Sequence, residues 1–276
     1  MKTSNISTLL LLTLALLSLS VEAGRQRISD EQKSDVYSEP DIQKELEFGR
    51  NMAAQLLADY ELIEDMKLLR YINLVGNVVL QNSSRQEIKY NFGVIQSDEI
   101  NAYATPGGYI FITTAALDQM QSEAELAAVL AHEVAHVVLR HIVKVLKIRS
   151  GEESSTHIMG KLVSGGSSTA GALFDQAMGK AFDILFSTGL KIEDEFDADK
   201  LGLLLTAMAG YDINGYFEYL ERISPLINAK DQQITRTHPS INKRIKQLKM
   251  NYQDEGLLSI VGYKNINRFK QNENME

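Results

Sequence analysis

The chain has no cysteine, no tryptophan and only four prolines in 276 residues. Without cysteine there is no disulfide, thiolate metal site, cysteine nucleophile or lipidated cysteine, so any metal must be held by histidine, aspartate or glutamate. Histidine is itself scarce, at five. Basic residues are outnumbered 36 to 28, and the net charge of −8 argues against a protein that coats nucleic acid. One local basic strip, Lys243, Arg244, Lys246 and Lys249, reads as the solvated face of a helix. Beyond residue 23 no charge-free apolar run reaches the roughly 20 residues of a membrane-spanning helix. What is present is an ordinary globular composition, 44% apolar and 23% charged.

Lys2, the apolar run over 9–19 and Val21-Glu22-Ala23 have the order of an export signal, so residues 1–23 are expected to be cleaved, with an uncleaved anchor as the alternative. Residues 24–39 read as a flexible polar lead-in, 40–252 as the folded domain and 253–276 as a C-terminal tail. Helical periodicity starts at Pro40-Asp41 and returns through Leu62 to Val79. Between Ile88 and Thr114 the period becomes two, broken by Pro106-Gly107-Gly108, which predicts a small, mostly antiparallel sheet. From Ser122, with Glu125 completing a capping box, an almost wholly apolar helix follows and is expected at the centre of the fold. Residues 150–190 suit a mobile flap or a plain linker. Further helices are expected near 192–209, 213–226 and 240–252. The class is α+β, predominantly helical.

His132-Glu133-Val134-Ala135-His136 lies inside the central helix. Residues four apart are separated by about 40° around a helix axis, so His132 and His136 converge on one point with Glu133 beside them. That pattern supplies two zinc ligands and a general base. Burying these groups without partners would be costly, which favours a metal site over core histidines. A third ligand must come from elsewhere. His141, about 140° round the same helix from His136, points away and is assigned to packing or capping. In Glu193-Asp194-Glu195-Phe196-Asp197-Ala198-Asp199 the better candidates are Glu195 as ligand and Asp199, one turn on, as acceptor of a ligand imidazole N–H. They share a stripe with Gly202, which would let another backbone come close.

These segments together resemble the M48 family of zinc metallopeptidases. HEVAH is followed about 60 residues later by EFDAD with Leu201-Gly202. Tyr71-Ile72-Asn73, the run Asn101 to Ile110, Ala209-Gly210-Tyr211-Asp212, and Thr237-His238-Pro239-Ser240 with Arg244 also fit, over about residues 40–250. The resemblance implies a zincin-like (gluzincin) fold with a central HExxH helix, one zinc ion per subunit and Glu195 as its third ligand. It also implies that His238 faces the zinc, as a catalytic donor or as an occupant of the open coordination position. Lys191-Ile192 stands where many members carry Ser-Arg, which puts a salt bridge of that arginine in doubt. The chain is similar to the compact, exported, single-domain members.

Expected from this is a metalloendopeptidase in which Glu133 activates a zinc-bound water. By resemblance it works on unfolded or misfolded proteins in a bacterial periplasm, in envelope protein quality control. Peripheral membrane or envelope-assembly contacts are compatible; nucleic acid is not expected. A zinc-stabilised chaperone or binding module is the alternative. Gly107, Gly108 and Tyr109 are expected either to open an exposed edge strand for an extended peptide or to make a simple hairpin turn. His157 is given no role.

Overall fold

The computed structural model describes residues 37–148, 168–230, 237–238, 241–253 and 262–272. The export signal, most of the polar lead-in, His157 and the first part of the expected flap lie outside the described residues.

Pro40 sits in the first turn of helix α1 (Glu39–Asp59), where its missing N–H would have had no partner, and Ser38 N donates to the Asp41 carboxylate at 2.8 Å. α2 (Met66–Leu80) starts at Asp65, whose carboxylate accepts from the amides of Lys67 and Leu68. Three strands follow: β1 (Asn91–Ile95), β2 (Ala102–Thr105) and β3 (Tyr109–Thr113). Their spatial order is β1-β3-β2. β2 runs antiparallel to β3 across the Pro106–Gly108 turn, in which Gly107 and Gly108 take positive φ of 73° and 86°. β1 pairs parallel to β3, Asn91 opposite Tyr109. The sheet is therefore evenly mixed rather than mostly antiparallel, because the chain crosses over between β1 and β2 before it turns back. Tyr109 belongs to the central strand, whose two edges are both paired, so the expected edge strand at Gly107, Gly108 and Tyr109 is corrected. Among the described residues β1 and β2 are the two outer strands, and β2 is the one that lines the cleft described below.

After the short α3 (Thr114–Asp118), α4 (Glu123–Val138) is buried along its whole length. Its capping box is partly as expected: Ser122 Oγ accepts from Glu125 N at 3.3 Å, while the Glu125 carboxylate reaches Gln121 N, one residue early, and Arg222. Among the described residues only the stretch Glu123–Leu146 is long and apolar enough to cross a bilayer, and 89% of its apolar window is buried inside the protein. It is the core helix.

Arg140, with φ 56°, breaks the helical run, and α5 (His141–Leu146) starts afresh. α6 (Ser168–Asp183) continues into a π-turn, Ile184–Thr188. Then come α7 (Ile192–Met208), α8 (Asn214–Lys230), α9 (Ile241–Gln253) and α10 (Ile266–Asn272). The 253–276 segment is thus no plain tail over 262–272. Phe269 is fully buried, and Arg268 pairs with Glu123 at the start of α4, where Tyr71 and Tyr211 also donate to that carboxylate.

α7 lies directly against α4 because Gly202 has no side chain. A Cβ there would stand 3.0 Å from both the N and Cα of His132. Gly202→Ala raises helix propensity by about 1 kcal/mol, yet it is expected to destabilise by about 1–3 kcal/mol as the two helices are forced apart. A denaturation midpoint at or above that of the wild type would contradict this contact.

Candidate metal centre

One helical turn brings the His132 and His136 Nε2 atoms within 3.0 Å of each other. Glu195 on α7 reaches both: its carboxylate oxygens lie 3.6 Å from His132 Nε2 and 3.4 Å from His136 Nε2. His238, just before α9, comes from the other side with Nδ1 2.9 Å from Glu195. One ligand atom from each of these four residues lies within 4.8 Å of all the others. Atoms bound about 2.0–2.1 Å from a tetrahedral ion stand about 3.3 Å apart, so the separations among His132, His136 and Glu195, 3.0 to 3.6 Å, fit a single cation. A second observation agrees. Glu195 Oε1 is buried and has no hydrogen-bond partner, an expensive arrangement that a cation between the imidazoles would relieve.

The surroundings fix this group. His132 Nδ1 lies 3.0 Å from Asp199, the relation expected for that aspartate. Asp199 also accepts from Tyr216 OH at 2.8 Å and from Arg244 at 2.6 and 2.8 Å. Arg244 reaches Glu195 as well, at 3.2 Å. Burial alone would raise the Asp199 carboxyl, but the Arg244 charge and its hydrogen bonds outweigh that and hold it down at about 2. Glu195 is likewise held well below the usual range, against burial, by His238 and Arg244. For His132, burial and Arg244 push downward, yet Asp199 and Glu195 prevail and raise it to about 9. Among the described residues Glu133 makes no ion pair closer than His238 Nε2 at 4.0 Å, and burial lifts its carboxyl above the ordinary value. A carboxylate raised in this way is a better proton acceptor near neutral pH.

His132, Glu133, His136, Glu195, Asp199 and His238 therefore meet at one place. Gly107, Gly108 and Tyr109 do not. Two further expectations are corrected. His141 does not point away: the left-handed Arg140 invalidates the arithmetic of a continuous helix, and His141 Nδ1 lies 2.8 Å from His136 Nδ1. Arg244 is not on the solvated strip: it is 2% exposed, while Lys243, Lys246 and Lys249 face solvent. Its signal was available, since Ile241, Arg244, Ile245 and Leu248 share one helical stripe. Tyr216, on the apolar stripe of α8, gave no sign of its role.

Two pockets flank Glu133 and His238. One, about 370 Å³ including its part open to solvent, is walled by Ala102, Ala116, Val129, Leu220 and Ile223 beside His132. The other, about 330 Å³ on the same basis, lies on the His136 side between β2 and Ile184, Leu185 and Leu190. The expected flap thus borders the cleft from 184 to 190, and Phe186 packs on Tyr103 of β2 with ring centroids 4.9 Å apart.

Residues 68–251 match the family model of peptidase family M48. The β-barrel assembly-enhancing protease of Yersinia pestis is 27% identical over 212 residues, covering 74% of this chain and 43% of that protein. That of Escherichia coli K12 is 28% identical over 211 residues with the same coverage. The mitochondrial metalloendopeptidase OMA1 of Schizosaccharomyces pombe is 31% identical over 180 residues, 64% of this chain and 51% of the relative. The chain spans about half the length, or less, of these curated relatives.

Proposed function

The chain belongs to peptidase family M48, and from that premise we propose that it is a zinc-dependent endopeptidase cutting unfolded or misassembled polypeptides. The observation that carries this reading is the Glu195 oxygen that lacks a hydrogen bond and lies 3.4 Å from His136 Nε2, with the raised carboxyl of Glu133 alongside. His132, His136 and Glu195 would hold the metal. Zinc bound there would polarise the scissile carbonyl and acidify a bound water.

The protein's own groups do the rest. Glu133 takes the proton of the attacking water and returns it to the leaving amine. His238, within reach of Glu133, donates to the oxygen on which charge develops. Asp199 keeps the His132 proton on Nδ1 and leaves Nε2 free. The outer side of β2, unpaired among the described residues, offers backbone groups to an extended segment, and the two flanking pockets take its side chains. Reading backbone in this way suits substrates that are unfolded.

An exported setting in envelope protein quality control is part of the proposal. It is supported by the apolar run at 9–19 and by relatives named for enhancing β-barrel assembly. The test is zinc content together with cleavage of casein. Stoichiometric zinc with cleavage abolished by a chelator is expected. A zinc-loaded protein that cuts no unfolded substrate but suppresses client aggregation would replace the peptidase with a binding module. Absence of stoichiometric zinc would remove both.

Protons and zinc compete for His132. With its pKa raised to about 9, this imidazole is mostly protonated at pH 7 and must release its proton to bind metal. Zinc affinity is therefore expected to rise about tenfold per pH unit from pH 7 and to level off near 9. Calorimetry in buffers of different ionisation enthalpy would report the proton; an affinity flat across that range contradicts the prediction.

A further inference from the structure

Arg140 holds a left-handed conformation, φ 56° and ψ 40°, uncommon for a residue with a side chain. It is anchored there from three sides: Nε lies 3.2 Å from Glu45, a second nitrogen 3.5 Å from Glu87, and the guanidinium 4.1 Å above the Tyr37 ring. The effect of this anchored kink is to restart the helix at His141 and swing its ring back toward α4. His141 is 4% exposed, and its ring meets that of His136 edge-on, with centroids 5.0 Å apart and planes at 74°. Their Nδ1 atoms are 2.8 Å apart. Two ring nitrogens at that separation share one proton, with one donating and the other accepting.

The rest of the site decides which nitrogen donates. His136 Nε2 faces His132 at 3.0 Å and Glu195 at 3.4 Å. A nitrogen giving its lone pair to a cation carries no proton, so the His136 proton must sit on Nδ1. We propose that His141 is a positioning residue of the metal centre: its Nδ1 accepts the Nδ1 proton of His136, fixing the tautomer and ring orientation that aim His136 Nε2 at the zinc. The inference rests on the reading of His136 as a zinc ligand. The two histidine ligands are then held differently, His132 by the Asp199 carboxylate and His136 by a neutral imidazole.

The experiment uses the full chain and reads zinc affinity by chelator competition and the absorption bands of the cobalt-substituted protein. His141→Phe keeps a ring and removes the acceptor; His141→Asn offers an amide oxygen in its place. His141→Phe is expected to weaken zinc binding about 10–100-fold and to alter the cobalt bands, and His141→Asn to recover part of both. Wild-type affinity and unaltered bands in His141→Phe overturn the proposal while leaving the zinc site standing. A wild type that binds no zinc removes the site and this inference together. Should His141→Phe not fold, nitrogen NMR of the zinc-loaded wild type decides. A proton on His136 Nδ1 with His141 Nδ1 bare supports the assignment, and a proton on His141 Nδ1 overturns it.

Discussion

Glu133→Gln is expected to lower cleavage of an unfolded polypeptide by about 10²–10⁴-fold, the usual weight of a general base, while bound zinc stays stoichiometric. The amide has nearly the volume of the acid, so the buried site, where Glu133 is 3% exposed, should keep its packing. Glu133 is absent from the group of residues whose ligand atoms cluster, so metal retention does not depend on it. What the substitution removes is, among the described residues, the one carboxylate at the site that burial raises and that is available to a water proton. Activity within a few-fold of the wild type would assign the base elsewhere. Loss of zinc would mean that Glu133 helps to hold the metal.

Arg244→Ala is expected to lower the unfolding free energy by about 3–5 kcal/mol, the cost of leaving buried charges without their partner. Arg244 is 2% exposed and bonds both oxygens of Asp199, the Tyr216 hydroxyl and Glu195. Removing it leaves the buried carboxylates of Asp199 and Glu195 without the positive charge they share. Saturating zinc should restore part of the loss, since a cation answers the charge of Glu195 but not that of Asp199. Urea denaturation with and without zinc would measure both effects, and an unchanged midpoint would contradict this account of the network. The same network shapes the acid limb of wild-type stability. Because Asp199 is depressed to about 2, its contribution is complete above the unfolded carboxyl value of about 3.9 and is lost as the pH falls toward 2.

The parts of this site that were legible in the sequence are the locally determined ones. His132 and His136 converge because residues four apart on a helix must, and Glu195, Asp199 and Gly202 share a stripe for the same reason. Gly202 marked where two backbones would touch, and the contact falls on His132 itself. His238 became visible only through family resemblance, because nothing local ties a loop histidine to a helix more than a hundred residues earlier. Arg244 was misread because the neighbouring lysines dominated the pattern, although its own stripe is apolar. His141 was misread because the helix break at Arg140 carries neither glycine nor proline; ion pairs from distant residues hold it. The substrate strand was misplaced for a topological reason. Which strand is central depends on the parallel pairing of β1 with β3, and a period of two says nothing about pairing.

Anomalous scattering at the zinc edge from crystals of the zinc-loaded protein tests the central claim most directly. One peak is predicted, about 2.0–2.1 Å from Nε2 of His132, Nε2 of His136 and an oxygen of Glu195, with Glu133 beside it and unbound. A peak coordinated by other residues, or none at full zinc loading, would contradict it.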